Sequence, residues 1–383
     1  MPNAVIETTR DPDIKRFYVN DKGTLLYPLK VRHDSFFVRI NRKAGLLVVK
    51  LEKASRPIIT GELKEVLYRF VVDLARQTGG RVVHHNLNGA GHKEYSLIEQ
   101  YAIGLDAINR AGWINDLVGY SDINVEIGMG GGEFLLNIAS LSPKEAFLGI
   151  EISSSDFLKA LRRFSNARLE NVKGIFYDAK ALLDRFKPNS VNRIFINFPE
   201  PWFKIRRLKH SVLTPLTALR MARMLKVGGR ILVVTDNYAF AVGSCVVLNA
   251  TEWLRSVSKH CIQINDEALH TRYEKKWKRY KRIIYRVEFE KAERSPEEEF
   301  QKVRFPLELP KRSLFDDRYL FKVLNIYRKP NAIDIVEIAA GESKNPQHAF
   351  FGLEGGRFYP IDQTRMVFNH DFVQAWSLAV RLC

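Results

Sequence analysis

The stretch "VEIGMGGGEF", residues 125–134, brings one carboxylate, Glu126, and a run of glycines to the point where an apolar strand-like segment gives way to a helical one. Glycine allows backbone conformations and close approaches that a side chain would block, so the N–H groups of the loop are open to a ligand. A dinucleotide loop needs G-x-G-x-x-G/A, and counted from Gly128 and Gly130 the last position is Glu133, an acid where a pyrophosphate would sit. That argues against NAD. A cationic sulfonium carries no phosphate, and Glu126 at the strand end suits it. Nineteen residues beyond Gly132, "GIE" ends the next apolar run on Glu151, where an acid can accept both hydroxyls of a ribose. Asp178 in "FYDAKAL" closes a third run and can take an adenine amino group. Singly, each acid reads as well as a helix N-cap or a solvated loop residue. Together with the glycines they point to an adenosyl ligand.

A second stretch, "NFPEPWFKIRRLKH", residues 197–210, holds Glu200 between Pro199 and Pro201 and runs through Trp202 into Lys204, Arg206, Arg207 and Lys209. The prolines fix φ on either side of the acid, which suits a carboxylate that must be held in place. The cations that follow can grip phosphates beside whatever Glu200 faces, the plainer alternative being a solvated face. A third concentration, "RYEKKWKRYKR", leads to Tyr273, Trp277, Tyr280 and Ile284 at helical spacing among Lys and Arg, so these side chains are expected to be core. His84, His85 and His92 have no nearby Cys or acid at zinc spacing, and no metal site is expected.

Strands and helices in alternation must position these groups. "NVEIG", "AFLGIEI", "KGIFYDA", "RIFINF" and "RILVVTD" read as strands, with "SDFLKALRRFSNARL" and "PLTALRMARML" among the helices, the latter stopped by Gly228 and Gly229. This pattern predicts an α/β domain over residues 116–290, a mainly parallel Rossmann-like sheet with helices on both faces. Residues 1–115 read as a small α+β extension, with a hairpin turn at Gly45 and a helix capped by Thr60 and ended by Gly79 and Gly80. After the linker-like "RVEFEKAERSPEEEFQ", residues 291–383 read as a separate β-rich appendage.

Sixty Lys and Arg against 43 Asp and Glu give a net charge of +17, an excess that attracts polyanions such as nucleic acid or an anionic membrane surface and does not choose between them. No run of about 18 uncharged apolar residues is present, and the polar start "MPNAVIETTRDPDIKR" lacks a signal-peptide core, so no membrane span and a cytoplasmic location are expected. Cys245, Cys261 and Cys383, odd in number and widely spaced, are expected to be reduced thiols.

"VEIGMGGGEF", "FLGIEI", "YDAKALL", "FINFPEPW", "LKVGGRILVVTDN" and "TRYEKKW", in this order, resemble the bacterial tRNA (guanine-N7)-methyltransferases, and the long N-terminal segment, Y-E-x-x-W and the C-terminal tail are similar to the longer epsilonproteobacterial members. The resemblance implies the seven-stranded class I fold, S-adenosylmethionine as cofactor and methyl transfer to the variable-loop guanosine of tRNA. It also implies that Glu126, Glu151 and Asp178 contact the cofactor, that Glu200 lies at the catalytic centre beside it and touches it too, and that Lys204, Asp236 and the segment carrying Thr271, Tyr273 and Glu274 touch the substrate. Two positions depart from the family: Glu200 stands where Asp is usual, and Phe203 where His is usual. N7 of guanine has a lone pair and no proton, so its attack on a sulfonium methyl needs alignment rather than a strong base, and Glu200 is expected to hold the guanine edge. A class I methyltransferase with another acceptor, or an RNA-binding protein with a vestigial cofactor pocket, is the alternative. The protein is expected to act as a monomer, with an oligomer left open.

Overall fold

The computed structural model describes residues 1–88, 94–110, 112–117, 119–200, 211–266, 271–297 and 303–382. Two compact units share the chain: Ser96–Phe300, and a second made of Met1–Tyr95 together with Gln301–Cys383.

The first unit carries eight strands: β1 (Ile123–Ile127), β2 (Ala146–Glu151), β3 (Val172–Phe176), β4 (Val191–Asn197), β5 (Leu225–Thr235), β6 (Leu254–Ser256), β7 (Ile262–Ile264) and β8 (Tyr285–Lys291). Its main helices are α1 (Glu133–Leu141), α2 (Ser154–Asn166), α3 (Ala179–Leu182), α4 (Pro215–Met224), α5 (Tyr238–Asn249) and α6 (Arg272–Arg279). The sheet runs β6-β8-β5-β4-β1-β2-β3, and β7 also pairs with β8, so the two short strands share one place at the edge. Seven positions result, as expected of a class I sheet. β1 to β5 are parallel and β8 is antiparallel to β5. Val125, Leu148, Ile150, Ile175, Ile194, Ile196 and Val233 are fully buried, the reason these strands read as nearly continuous apolar runs. Chain order reverses between β1 and β4, so a crevice opens outside their C-terminal ends, where open α/β sheets bind ligands.

Several boundaries differ from those expected. α4, opened by a Thr214–Thr217 capping box with Pro215 in its first turn, ends at Met224 because the chain passes directly into β5 at Leu225. Gly228 and Gly229 therefore lie within the strand, and a Cβ at Gly229 would sit 2.8 Å from the carbonyl oxygen of Asn192. "RVEFEK" is not linker but β8, its alternating side chains buried on one face. Cys245 on α5 and Cys261 beside β7, with Cα atoms 6.1 Å apart, form a disulfide where reduced thiols were expected. Packing of α5 near this sheet edge brings them together.

The N- and C-terminal segments, read from sequence as two appendages, form one unit. Its two six-stranded sheets are antiparallel throughout, one from residues 3–85 and the other from 307–359. They pack through Leu26, Phe37, Tyr327, Ile335 and Phe350, with Phe37 and Phe350 ring centroids 4.9 Å apart. Within that layer Glu337 receives Arg39 at 3.1 Å, the Tyr327 hydroxyl at 3.0 Å and Asn325 at 2.8 Å. Backbone bonds between Val19 and Arg328 add a direct link. The helix Gly61–Gln77, capped by Thr60 as expected, packs on the first sheet, and His370–Arg381 packs on the second. No described helix of the chain is long and apolar enough to cross a membrane.

Candidate functional site

The glycine loop follows β1 and enters α1, as the sequence indicates. Gly128, Gly130 and Gly132 all have φ between 53° and 77°, the left-handed region that disfavours side chains. Their surroundings differ. A Cβ on Gly128 or Gly130 would meet nothing within 4 Å, leaving space for a ligand over the loop. One on Gly132 would lie 2.8 Å from the Ala160 Cβ and 2.9 Å from the Phe164 ring, so this glycine serves the packing of the loop on α2.

Glu126, 2% exposed, stands near the end of β1. One oxygen accepts a 2.9 Å hydrogen bond from the side-chain amide of Asn197 at the end of β4. The other oxygen, and Oδ1 of Asn197, are buried with no hydrogen-bond partner among the described residues. Burial pushes the Glu126 carboxyl up to about 8; the Asn197 hydrogen bond works against the shift, and the charges of Glu133 and Glu151 add to it. Two buried oxygens thus lie side by side at the switch point, and a cation placed there would favour the ionised form of Glu126.

Glu151, half-buried at the tip of β2, accepts from the N–H groups of Gly130 (2.8 Å), Ile152 (2.8 Å) and Ser153 (2.7 Å). It braces the glycine loop as well as closing the strand. Asp178 caps α3, accepting from the Lys180 N–H at 3.0 Å, so the helix-cap alternative holds for this acid. Glu133, the acid that argues against a pyrophosphate, is paired with Arg163 at 2.8 Å. Glu126, Gly128, Gly130 and Glu151 thus gather on one rim, with Asp178 just past the end of the neighbouring strand.

Across the crevice, Phe198 has φ 49°, a left-handed conformation that costs a bulky residue on the order of 1 kcal/mol and marks a constrained turn. Its N–H donates to the Val234 carbonyl at 2.7 Å, anchoring the turn to β5. Two residues later Glu200 is exposed. Trp202, Phe203, Lys204, Arg206 and Arg207 lie outside the described residues. Asp236, after β5, accepts from Arg282 at 2.7 Å, and the Arg282 guanidinium lies 4.1 Å from the Trp277 ring. Thr271 caps α6 by accepting from the Glu274 N–H at 3.0 Å, while Glu274, 2% exposed, pairs with Lys278 at 2.6 Å. Tyr273 lies 6.1 Å from the Phe198 ring, interplanar angle 34°, so α6 begins beside the loop that carries Glu200.

The expected aromatic core along α6 is not formed. Tyr273 is 40% and Tyr280 64% exposed, Trp277 is half-buried, and only Ile284 of the four is buried. The helix ends at Arg279 and Lys281 turns left-handed, so the helical spacing does not continue to Ile284. Sequence reasoning also missed Asn197 as a partner of Glu126, and Arg282 as the cation on Asp236. Asn197 had a signal, its place at the tip of a strand next to the two-proline loop; Arg282 had none, because its partner is 46 residues away.

The family model described as "Putative methyltransferase" matches residues 121–287. The tRNA (guanine-N(7)-)-methyltransferase of Aquifex aeolicus is 30% identical over 257 residues, 61% of this chain and 83% of that protein. The protein of the same name from Wolinella succinogenes is 25% identical over 313 residues, 78% of this chain and 76% of the relative. In Campylobacter jejuni strain RM1221 another so named is 25% identical over 363 residues, covering 88% and 84%. The two longer matches extend well beyond the family model into the flanking segments.

Proposed function

Because this chain belongs to the tRNA (guanine-N(7)-)-methyltransferase family, we propose that it transfers the methyl group of S-adenosylmethionine to N7 of a guanine in the tRNA variable loop, position 46 by resemblance. The observation that carries this reading is the pair of orphaned, buried acceptors on Glu126 and Asn197, set at the switch point directly before the Phe198–Glu200 turn. S-adenosylmethionine, when bound, supplies an electrophilic sulfonium methyl. Glu126 and Asn197 offer acceptors to its cationic part, Gly128 and Gly130 leave room for it, and Glu151 and Asp178 stand at the next two strand ends for hydroxyl and amino donors.

On the acceptor side no group has to remove a proton, because N7 presents a lone pair; the chain has to orient the ring. Glu200 accepts from the guanine N1–H and exocyclic amino group, which turns N7 inward and rejects adenine, whose edge presents a different donor pattern. Its exposure is that of a carboxylate whose partner arrives with the substrate. The constrained turn at Phe198 and the prolines at 199 and 201 fix its backbone. Lys204, Arg206 and Arg207 hold phosphates beside the target, and Asp236, Thr271, Tyr273 and Glu274 complete the acceptor rim. The reading places the enzyme in the cytoplasm with its tRNA, acting as a monomer without a metal.

Incubation with mixed tRNA and methyl-labelled S-adenosylmethionine, followed by chain cleavage specific for 7-methylguanosine, tests it. Label at one cleavable site in the variable loop is expected. Label on another atom, or none, overturns it.

A further inference from the structure

Tyr273, Trp277 and Tyr280 share one face of α6, and two turns of helix separate the outer tyrosines by about 10 Å. The two tyrosines, expected to be core, instead face solvent, and Trp277 between them is half-buried. The Trp277 ring is already attended by two cations, Arg282 at 4.1 Å and Lys276 at 4.6 Å, and its centroid is 6.3 Å from Tyr280 in a tilted pair. Tyr280, just past the helix C-terminus, is 64% exposed. Lys276 flanks the stripe and Lys281 sits in the left-handed turn after it; both are exposed and in no ion pair among the described residues. At the other end of the helix, Tyr273 meets the Phe198 turn two residues before Glu200.

An exposed aromatic face between cations is what unpaired nucleotides bind, since every base has a π-face and every linkage a phosphate. A duplex offers no unstacked base face to an aromatic side chain, and its major-groove edges are out of reach. We propose that this face of α6, with Tyr280 as its stacking platform and Lys276 and Lys281 as phosphate contacts, binds unpaired nucleotides flanking the target guanine. The proposal rests on the reading of the substrate as tRNA. It adds a contact surface about two helical turns from the reacting position, so the flanking nucleotides help to set which guanine reaches Glu200.

The test is tRNA retention by the full chain in the presence of S-adenosylhomocysteine, with no turnover, for wild type, Tyr280→Ala, Tyr280→Phe and the double substitution Lys276→Gln/Lys281→Gln. Tyr280→Ala should weaken retention roughly tenfold, with Tm, S-adenosylhomocysteine affinity and salt dependence unchanged, and Tyr280→Phe should stay within about twofold of wild type. The lysine pair should lower the salt slope by up to about 1.5. Wild-type retention by Tyr280→Ala overturns the proposal, as does equal loss in Tyr280→Phe, or a fall in Tm that accompanies the weakened binding. A wild type that fails to retain tRNA also sinks this surface. If wild type retains tRNA but leaves no 7-methylguanosine on turnover, the proposed reaction fails, and the Tyr280 series still judges the surface.

Discussion

On the rim proposed for the cofactor the acids are built in: Glu126 is buried against Asn197, Glu151 holds three backbone N–H groups, and Asp178 caps a helix. On the rim proposed for the acceptor Glu200 and Tyr273 are exposed, while Thr271 and Glu274 are held at the start of α6 and Asp236 is paired with Arg282. A small flexible cofactor gains most from a preformed site, because each ordered group lowers the entropy lost on binding. A large RNA brings its own ordered surface, so the groups that meet it can stay exposed until it arrives. The two rims should therefore fail differently when cut.

Glu126→Ala should give the largest change. Loss of a charge-assisted contact to a cation should weaken S-adenosylmethionine binding on the order of 100-fold by calorimetry without tRNA, while retention of tRNA changes little. Equal loss on both ligands would erase the distinction between the rims. Replacing Lys204, Arg206 and Arg207 together should do the reverse: tRNA binding at low salt weakens by tens of fold, its salt slope flattens by up to about three, and cofactor affinity stays put. An unaltered slope would make those side chains a solvated face. Gly132→Ala, which drives a Cβ into Ala160 and Phe164 from a left-handed backbone, should cost about 2 kcal/mol and several degrees of Tm. Gly130→Ala, with open space around its Cβ, should cost about half that and act mainly on cofactor binding. If the two destabilise equally, the packing role assigned to Gly132 is wrong.

The smallest expected effect is a pH dependence. Glu126 is raised from 4.5 to about 8. Between those values the folded chain keeps a proton that the unfolded chain has released, so this group's contribution to stability falls as pH rises and levels off above 8. Binding a cation favours the ionised form, so cofactor affinity should rise with pH through the upper part of that window, by less than tenfold per unit, and level off above 8. Glu126→Gln should remove the component due to this carboxyl. A wild-type profile that matches Glu126→Gln would mean the cofactor does not sense it.

The parallel sheet and its glycine loop were legible because buried parallel strands are apolar runs and the loop between β1 and α1 is marked by its glycines. Thr60 and Gly45 were legible as a cap and a turn for the same local reason. The union of the two terminal segments was not, since Phe37 meets Phe350 and Arg39 meets Glu337 across about 300 residues and neither segment carries a trace of its partner. α4 ends before its glycines because pairing of β5 with β4 overrides the local stop signal. Along α6, spacing gave the aromatic face correctly, but spacing cannot say whether another element covers it.

The central claim, that the main task of Glu200 is to orient the acceptor, its contact with the cofactor contributing little to affinity, is tested most directly on Glu200→Ala by single-turnover methyl transfer to tRNA with S-adenosylmethionine at saturation, alongside its affinity for S-adenosylhomocysteine. The transfer rate should fall at least about tenfold while the affinity stays within about twofold of wild type. A wild-type rate, or a parallel collapse of cofactor affinity, would contradict it.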